Sequence, residues 1–220
     1  MKMANDTDLI DYYAETHKNR VYGTSSVKNL RFLRPEIAVL HPGSILDYGC
    51  GQSIFLDCLA LGYDVELHRY DPAIPAYAAL PEDKVDLLIS IDVLEHIEDA
   101  ELDPTLSAMR AACRDAIIVI DTKAANHTLP DGRNAHVSLH SRDWWRERLI
   151  RHFDHLEPVK SARRSRAAFR TWPRSPGQSV RFHGLRLREN AVHYAKRLVG
   201  RHKQDWKVSS TGHEKPGRGR

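Results

Sequence analysis

The chain has 220 residues, 41% of them hydrophobic and 28% charged, with 33 Lys and Arg against 29 Asp and Glu. That length suits one α/β domain with additions and is enough to bury a core. No apolar run approaches the roughly 18 residues of a membrane span, and Met1-Lys2-Met3-Ala4-Asn5-Asp6 lacks the apolar stretch of a signal peptide, so a transmembrane class is excluded and a cytoplasmic protein is expected.

The N-terminal part carries Asp11-Tyr12-Tyr13, then Arg20-Val21-Tyr22-Gly23-Thr24-Ser25-Ser26, which reads as a turn ending in a serine helix cap. The most informative stretch follows, Ile45-Leu46-Asp47-Tyr48-Gly49-Cys50-Gly51-Gln52-Ser53. A strand ends in an acid and enters a Gly-x-Gly turn, and the spacing beyond it predicts an amphipathic helix over 54–61. Such a turn suits a nucleotide-type ligand, because glycines permit sharp bends and leave no Cβ in the way, while a helix N-terminus offers unpaired N–H groups. The dinucleotide fingerprint needs a third glycine, and here that position is Ile54. A pyrophosphate is therefore disfavoured, and Asp47 points to a ligand with positive charge near the turn.

These residues resemble motif I of the class I S-adenosylmethionine (SAM) methyltransferases, an acid followed by Gly-x-Gly-x-Gly, with Ser53 at the last glycine's position. A second strand is expected over 64–70, with Asp71 placed to receive both ribose hydroxyls of a nucleoside. The resemblance implies a Rossmann-like α/β fold: a mostly parallel seven-stranded sheet with helices on both faces. It implies cofactor contacts from Tyr22, Asp47, Gly49, Cys50, Gly51, Tyr70, Asp71, Pro72, Ile91, Asp92 and Val93. Residues 1–40 would form a helical lid, 41–172 the SAM-binding domain and 173–220 a basic extension. Tyr22 and Thr24 would reach the methionine end of the cofactor, unless the segment is a turn alone.

The run Val85-Asp86-Leu87-Leu88-Ile89-Ser90-Ile91 reads as a buried parallel strand. A helix over 103–113 and another buried strand over 116–121 continue the βαβ order, which places Asp47, Asp71, Asp92 and Asp121 at the carboxyl ends of strands. For a hydroxyl acceptor a proton must be removed, and Asp92, Glu95, His96 and His136 are the candidates. Asp92-x-x-Glu95-His96 resembles the acid-x-x-Glu-His of ubiquinone-pathway O-methyltransferases and of enzymes that methylate the terminal 2′-hydroxyl of small RNAs. That resemblance implies a divalent metal, Mg²⁺ or Mn²⁺, on Glu95, His96 and His136, with His140 or His127 as alternatives to the last. His96 as a metal-free base, or a purely structural segment, are the other readings.

The loop Asn126-His127-Thr128-Leu129-Pro130-Asp131-Gly132-Arg133-Asn134-Ala135-His136 should turn tightly at Asp131-Gly132. Arg133 and Asn134 are expected to face the acceptor, Arg133 suiting a carboxylate or phosphate. Ser141 should cap a helix holding Trp144 and Trp145, one packed on the sheet and one, assigned as Trp144, bordering the acceptor. A last strand is expected over 167–172 and an amphipathic helix over 189–203.

The charge is divided along the chain. Residues 1–157 carry 16 basic and 26 acidic groups, and residues 158–220 carry 17 and 3. The basic end is compatible with RNA, with an anionic lipid surface, with an anionic acceptor, or with a solvated cap. Cys50, Cys58 and Cys113 lack Cys-x-x-Cys spacing and should be reduced thiols. The expected reaction is methyl transfer to a hydroxyl of a small polar molecule or glycan precursor. RNA 2′-O-methylation and non-catalytic SAM binding are the alternatives, and the oligomeric state is not legible.

Overall fold

The computed structural model describes residues 6–19 and 26–198. Tyr22, Thr24 and everything after Leu198, including the last 22 residues of the basic extension, lie outside the described residues. Among those described, six strands form one mixed sheet in the order β2-β1-β3-β4-β6-β5. The strands are β1 Ser44–Tyr48, β2 Glu66–Tyr70, β3 Val85–Ile91, β4 Cys113–Asp121, β5 Glu157–Pro158 and β6 Arg166–Arg170. The first four pair in parallel, and β6 runs antiparallel to both β4 and β5. A seventh strand, expected from the resemblance, is not among them.

Alternation along the central strands loads both faces. Leu46, Leu88, Ile118 and Phe169 point into one core with Leu106 and Met109 of α3 (Leu102–Ala112) and Trp145 and Leu149 of α4 (Arg142–Leu149). Ile45, Leu87, Ile89 and Ala168 point into the other, with Leu33 and Ile37 of α2 (Leu30–Leu40). Strand side chains alternate with a period of two, so a continuous apolar run such as Leu87-Leu88-Ile89 serves both layers at once. Ser141 caps α4 as expected, accepting from the Trp144 N–H. Of the two tryptophans, Trp145 is the one fully buried.

Helices occupy the edges as well. The N-terminal α1 (Asp6–Asn19) rests on the loop after β4, Leu9 packing with Leu129 and Ala135. The C-terminal α5 (Pro176–Leu198) begins thirteen positions before the predicted 189 and packs on α2 through the Arg34–Glu189 ion pair. Beneath it Glu36 of α2 is buried against Arg170 and Arg174. Cys50, Cys58 and Cys113 are free thiols.

The helix predicted over 54–61 is also absent. Residues 54–61 make a single turn, with the Cys58 N–H on the Ile54 carbonyl at 3.1 Å, and then extend toward β2. So short a helix has little stability of its own. Phe55, Leu56 and Leu59 reach the core beside α2 from the turn alone.

Candidate functional site

A cavity of about 660 Å³ opens where β1, β2, β3 and β4 end. Its wall includes Asp47, Gly49, Cys50, Gly51, Tyr70, Asp71, Pro72, Ile91, Asp92 and Val93, ten of the eleven predicted cofactor residues. The eleventh, Tyr22, lies outside the described residues.

The turn after β1 is shaped by its neighbours more than by a helix behind it. The Gly49 and Cys50 N–H groups both donate to the Tyr70 carbonyl, at 2.7 and 3.1 Å, which ties the turn to the end of β2. Gly49 has φ of 71°, and a Cβ there would stand 2.6 Å from both methyl groups of Val93. Glycine is thus required by the loop after β3, and the missing helix removes the N-terminal donors expected at 54–61. Ser53 accepts from the Phe55 N–H and bonds the Ser26 hydroxyl at 2.6 Å, so a small polar residue replaces a glycine with a gain in bonding.

Asp71 is held ready for a ligand. Its two carboxylate oxygens accept from the Gly51 N–H at 2.7 Å and the Ala73 N–H at 2.9 Å, which orients the group while leaving each oxygen a further lone pair. Asp47 is 4% exposed, and its Oδ2 has no hydrogen-bond partner. Burial pushes its carboxyl up to about 7, partly offset by Arg69. A buried acid on a cavity wall with an unpaired oxygen is suited to a cation.

Asp92 begins the loop after β3 at φ of 57°, a left-handed conformation that aspartate tolerates better than most side chains. Its N–H donates to the Val119 carbonyl at 2.8 Å, and its carboxylate pairs with the 2%-exposed Arg166 of β6. The next residues form one 3-10 turn, Leu94–His96. Glu95 is fully buried and does not reach the cavity. Its Oε1 accepts from the Asp121 N–H and its carbonyl from the Ser138 N–H, and burial, then Asp92, raises its carboxyl well above the usual range.

Two imidazoles face each other on the cavity wall. The rings of His96 and His136 meet edge to face with centroids 4.8 Å apart. His96 Nδ1 lies 2.9 Å from the Ala135 carbonyl and His136 Nδ1 2.5 Å from that of Lys123. A carbonyl only accepts, so both Nδ1 atoms carry the hydrogen and Nε2 is the remaining ring nitrogen of each. Tyr13 of α1 brings its hydroxyl to 2.8 Å from the same His96 nitrogen. Burial, and then His136, lowers the His96 imidazole to about 3, so it is neutral at ordinary pH.

The sequence profile of a family described as a methyltransferase domain matches residues 21–171. The chain belongs to the class I SAM-dependent methyltransferases. No curated protein matches its sequence. Among solved structures the methyltransferase is similar to the 1,6-didemethyltoxoflavin-N1-methyltransferase of Burkholderia thailandensis, at 13% identity and TM-score 0.51, covering 77% of this chain and 89% of that one. It is also similar to DhpI in complex with S-adenosylhomocysteine (SAH), at 17% identity and TM-score 0.49, covering 76% and 98%.

Around that site the methyltransferase departs from several expectations. Arg133 is exposed and bound to Asp131 and Glu98. Asn134 clamps both the N–H and the carbonyl of Ala125, a structural role in the hairpin whose turn is indeed at Asp131-Gly132. Trp144 stacks on His140 at 3.6 Å between centroids. None of the three lines the cavity, because each is spent on holding the loop or covering a surface. His127 and Asp121 do line it, as do Tyr13, Lys123, Arg163 and Arg166, which motif spacing alone did not reveal. The one available signal was arginine inside an apolar strand, Arg166-Ala167-Ala168-Phe169-Arg170, which marks a buried partner for an acid.

Proposed function

We propose that the protein transfers the methyl group of SAM to a hydroxyl of a small polar acceptor. The observation that carries this reading is the His96 and His136 pair, two imidazoles whose Nδ1 atoms are turned to backbone carbonyls, which leaves Nε2 as the remaining ring nitrogen of each at the cofactor cavity. A hydroxyl is a poor nucleophile until its proton has somewhere to go, and an oriented imidazole supplies that acceptor. SAM, when bound, supplies a methyl group on a positively charged sulfur. Asp71 would take the ribose hydroxyls and Asp47 the positive end of the ligand. The acceptor oxygen would form its bond to carbon as the carbon–sulfur bond breaks with its electron pair left on sulfur, and the hydroxyl proton would pass to Nε2 of His136. His96, with its low proton affinity, orients and polarises. The α1 helix would serve as a lid that closes this space, with Tyr13 on its inner face.

The cavity volume is in the range of small-molecule sites and must hold both cofactor and acceptor, which favours a small acceptor. No residue of α5 lines it, so the described part of the basic extension does not build the acceptor site, and a role in RNA 2′-O-methylation gains no support from it. The metal reading fits less well. Glu95, His96 and His136 offer ligand atoms within 4.8 Å of one another. Two ligands sharing an ion at about 2.1 Å are at most about 4.2 Å apart, and Glu95 is walled off from the cavity. As placed, the trio is too open to grip an ion, and no step is assigned to one.

Methyl-labelled SAM with a panel of hydroxylated and amine-bearing small molecules tests the reading, the products being identified by mass spectrometry. Methyl ethers formed without added metal, and lost in His136→Gln with SAM affinity retained, are expected. Methylated amines as the only products would overturn the hydroxyl assignment.

A further inference from the structure

The outer face of α5 carries an apolar stripe that nothing among the described residues covers. Val180, Gly184, Leu187, Ala191, Tyr194 and Leu198 recur at steps of four, three, four, three and four along the helix. Val180, Leu187, Tyr194 and Leu198 are 75%, 71%, 55% and 90% exposed. The opposite face, with Phe182 and Glu189, is the one that packs on α2. A strict alternation of three and four is the repeat of a coiled-coil seam, narrower than the broad apolar face of a helix that merely lies on a core. The seam spans about 27 Å at 1.5 Å per residue.

Gly184 is a second, independent sign. A Cβ there would meet nothing within 4 Å, so the packing of α5 on the domain does not require glycine. Glycine in an exposed helix interior costs about 1 kcal/mol relative to alanine. A second helix lying close against the seam at Gly184 and Ala191 would account for both small residues.

Charge selects the occupant. Arg181 and Arg188 flank the seam on one side, His183 and Arg197 on the other. A second copy of the chain would set these cations against their own kind. An interfacial membrane helix needs a wide face of large apolar residues, and here two of the six seam positions are Gly and Ala. We infer that the outer face of α5 docks an amphipathic helix of a partner protein, with apolar residues in heptad register and Glu or Asp beside them.

The test uses the full chain and a fluorescent peptide of about three heptads, Leu at a and d and Glu at e and g. A dissociation constant on the order of 10 μM is expected, weakened about tenfold or more by Leu187→Asp, by Leu198→Asp and by Arg188→Glu. These positions are exposed, so the variants should keep the thermal midpoint of the parent. The same peptide with Lys at e and g should fail to bind. The inference is overturned by absence of binding, by equal binding of the Lys peptide, or by binding that the variants leave unchanged. It is equally overturned by anionic phosphatidylglycerol vesicles binding where the peptide does not, or by a doubled mass in light scattering that Leu187→Asp abolishes.

Discussion

The Arg166 guanidinium on β6 holds the Asp92 carboxylate at the end of β3, and so joins the antiparallel edge of the sheet to the wall of the cofactor cavity. The pair crosses β4, whose Val119 carbonyl receives the Asp92 N–H. A left-handed aspartate is thereby fixed from two sides.

Replacing that guanidinium should loosen both fold and site. Arg166→Met removes the partner of a carboxylate that is 20% exposed, so the loss falls below that of a fully buried pair, at about 2–3 kcal/mol. Urea denaturation should show it as a lower midpoint, with KM for SAM raised. An unchanged midpoint would mean that Asp92 holds its conformation unaided.

Gly49 and Val93 form a steric couple. Gly49→Ala should destabilise by about 2 kcal/mol, from the left-handed backbone together with the 2.6 Å contact, and should weaken SAM binding. Val93→Ala in the same chain removes the contact and should restore part of the loss. A double-mutant cycle without coupling would remove Val93 as the reason for glycine.

Asp71→Asn keeps the shape of the side chain but presents an NH₂ group to one of two backbone N–H donors. SAM affinity measured by calorimetry should fall about 100-fold, or roughly 2.7 kcal/mol. Retained affinity would dismiss the ribose assignment.

The Asp47 carboxyl carries a pH signature. In the ligand-free protein it holds its proton up to about pH 7, against 3.8 as its ordinary value. Between those values the unfolded chain has released a proton that the native state keeps, so this group makes stability fall as pH rises across the window. Binding a cation favours the ionised form, so SAM affinity should rise with pH toward 7, by nearly tenfold per unit below it, and level above it. Asp47→Asn should flatten that dependence and lower affinity. A wild-type affinity constant between pH 5.5 and 7.5 would contradict the role.

Tyr13→Phe removes one hydroxyl from the contact between α1 and His96. The fold should tolerate it, with stability within about 1 kcal/mol of the parent, because Leu9 still anchors the helix. KM for the acceptor should rise more than kcat falls. A loss in kcat alone would instead place Tyr13 in the proton path.

The centre of the parallel half of the sheet was legible because β3 and β4 carry long apolar runs with an acid at the carboxyl end, and β3 in particular lies where the run from Val85 to Ile91 predicts it. Asp47 and Asp71 were legible through spacing from the glycines. The turn at 54–61 was misread because Phe55, Leu56 and Leu59 have helical spacing, yet three anchors can be buried from one turn. Arg133, Asn134 and Trp144 were expected at the acceptor from chemical type alone. Their actual partners, Glu98, Ala125 and His140, are contacts that only the folded loop creates. Tyr13 and Arg166 reach the cavity from opposite ends of the chain, and no local pattern records that meeting.

Asp47, Asp71, Asp92 and Asp121 all stand on the cavity wall, and no helix begins at the turn behind the glycines to offset them. Methyl transfer changes what this ring of acids sees, since the sulfur loses its positive charge as the methyl leaves. If Asp47 takes the positive end of the cofactor as proposed, the spent cofactor would set a neutral thioether beside a carboxyl whose burial favours the protonated form. Turnover would then weaken the grip on the by-product, so that exchange of spent for fresh cofactor is favoured by the same acid proposed to recruit it.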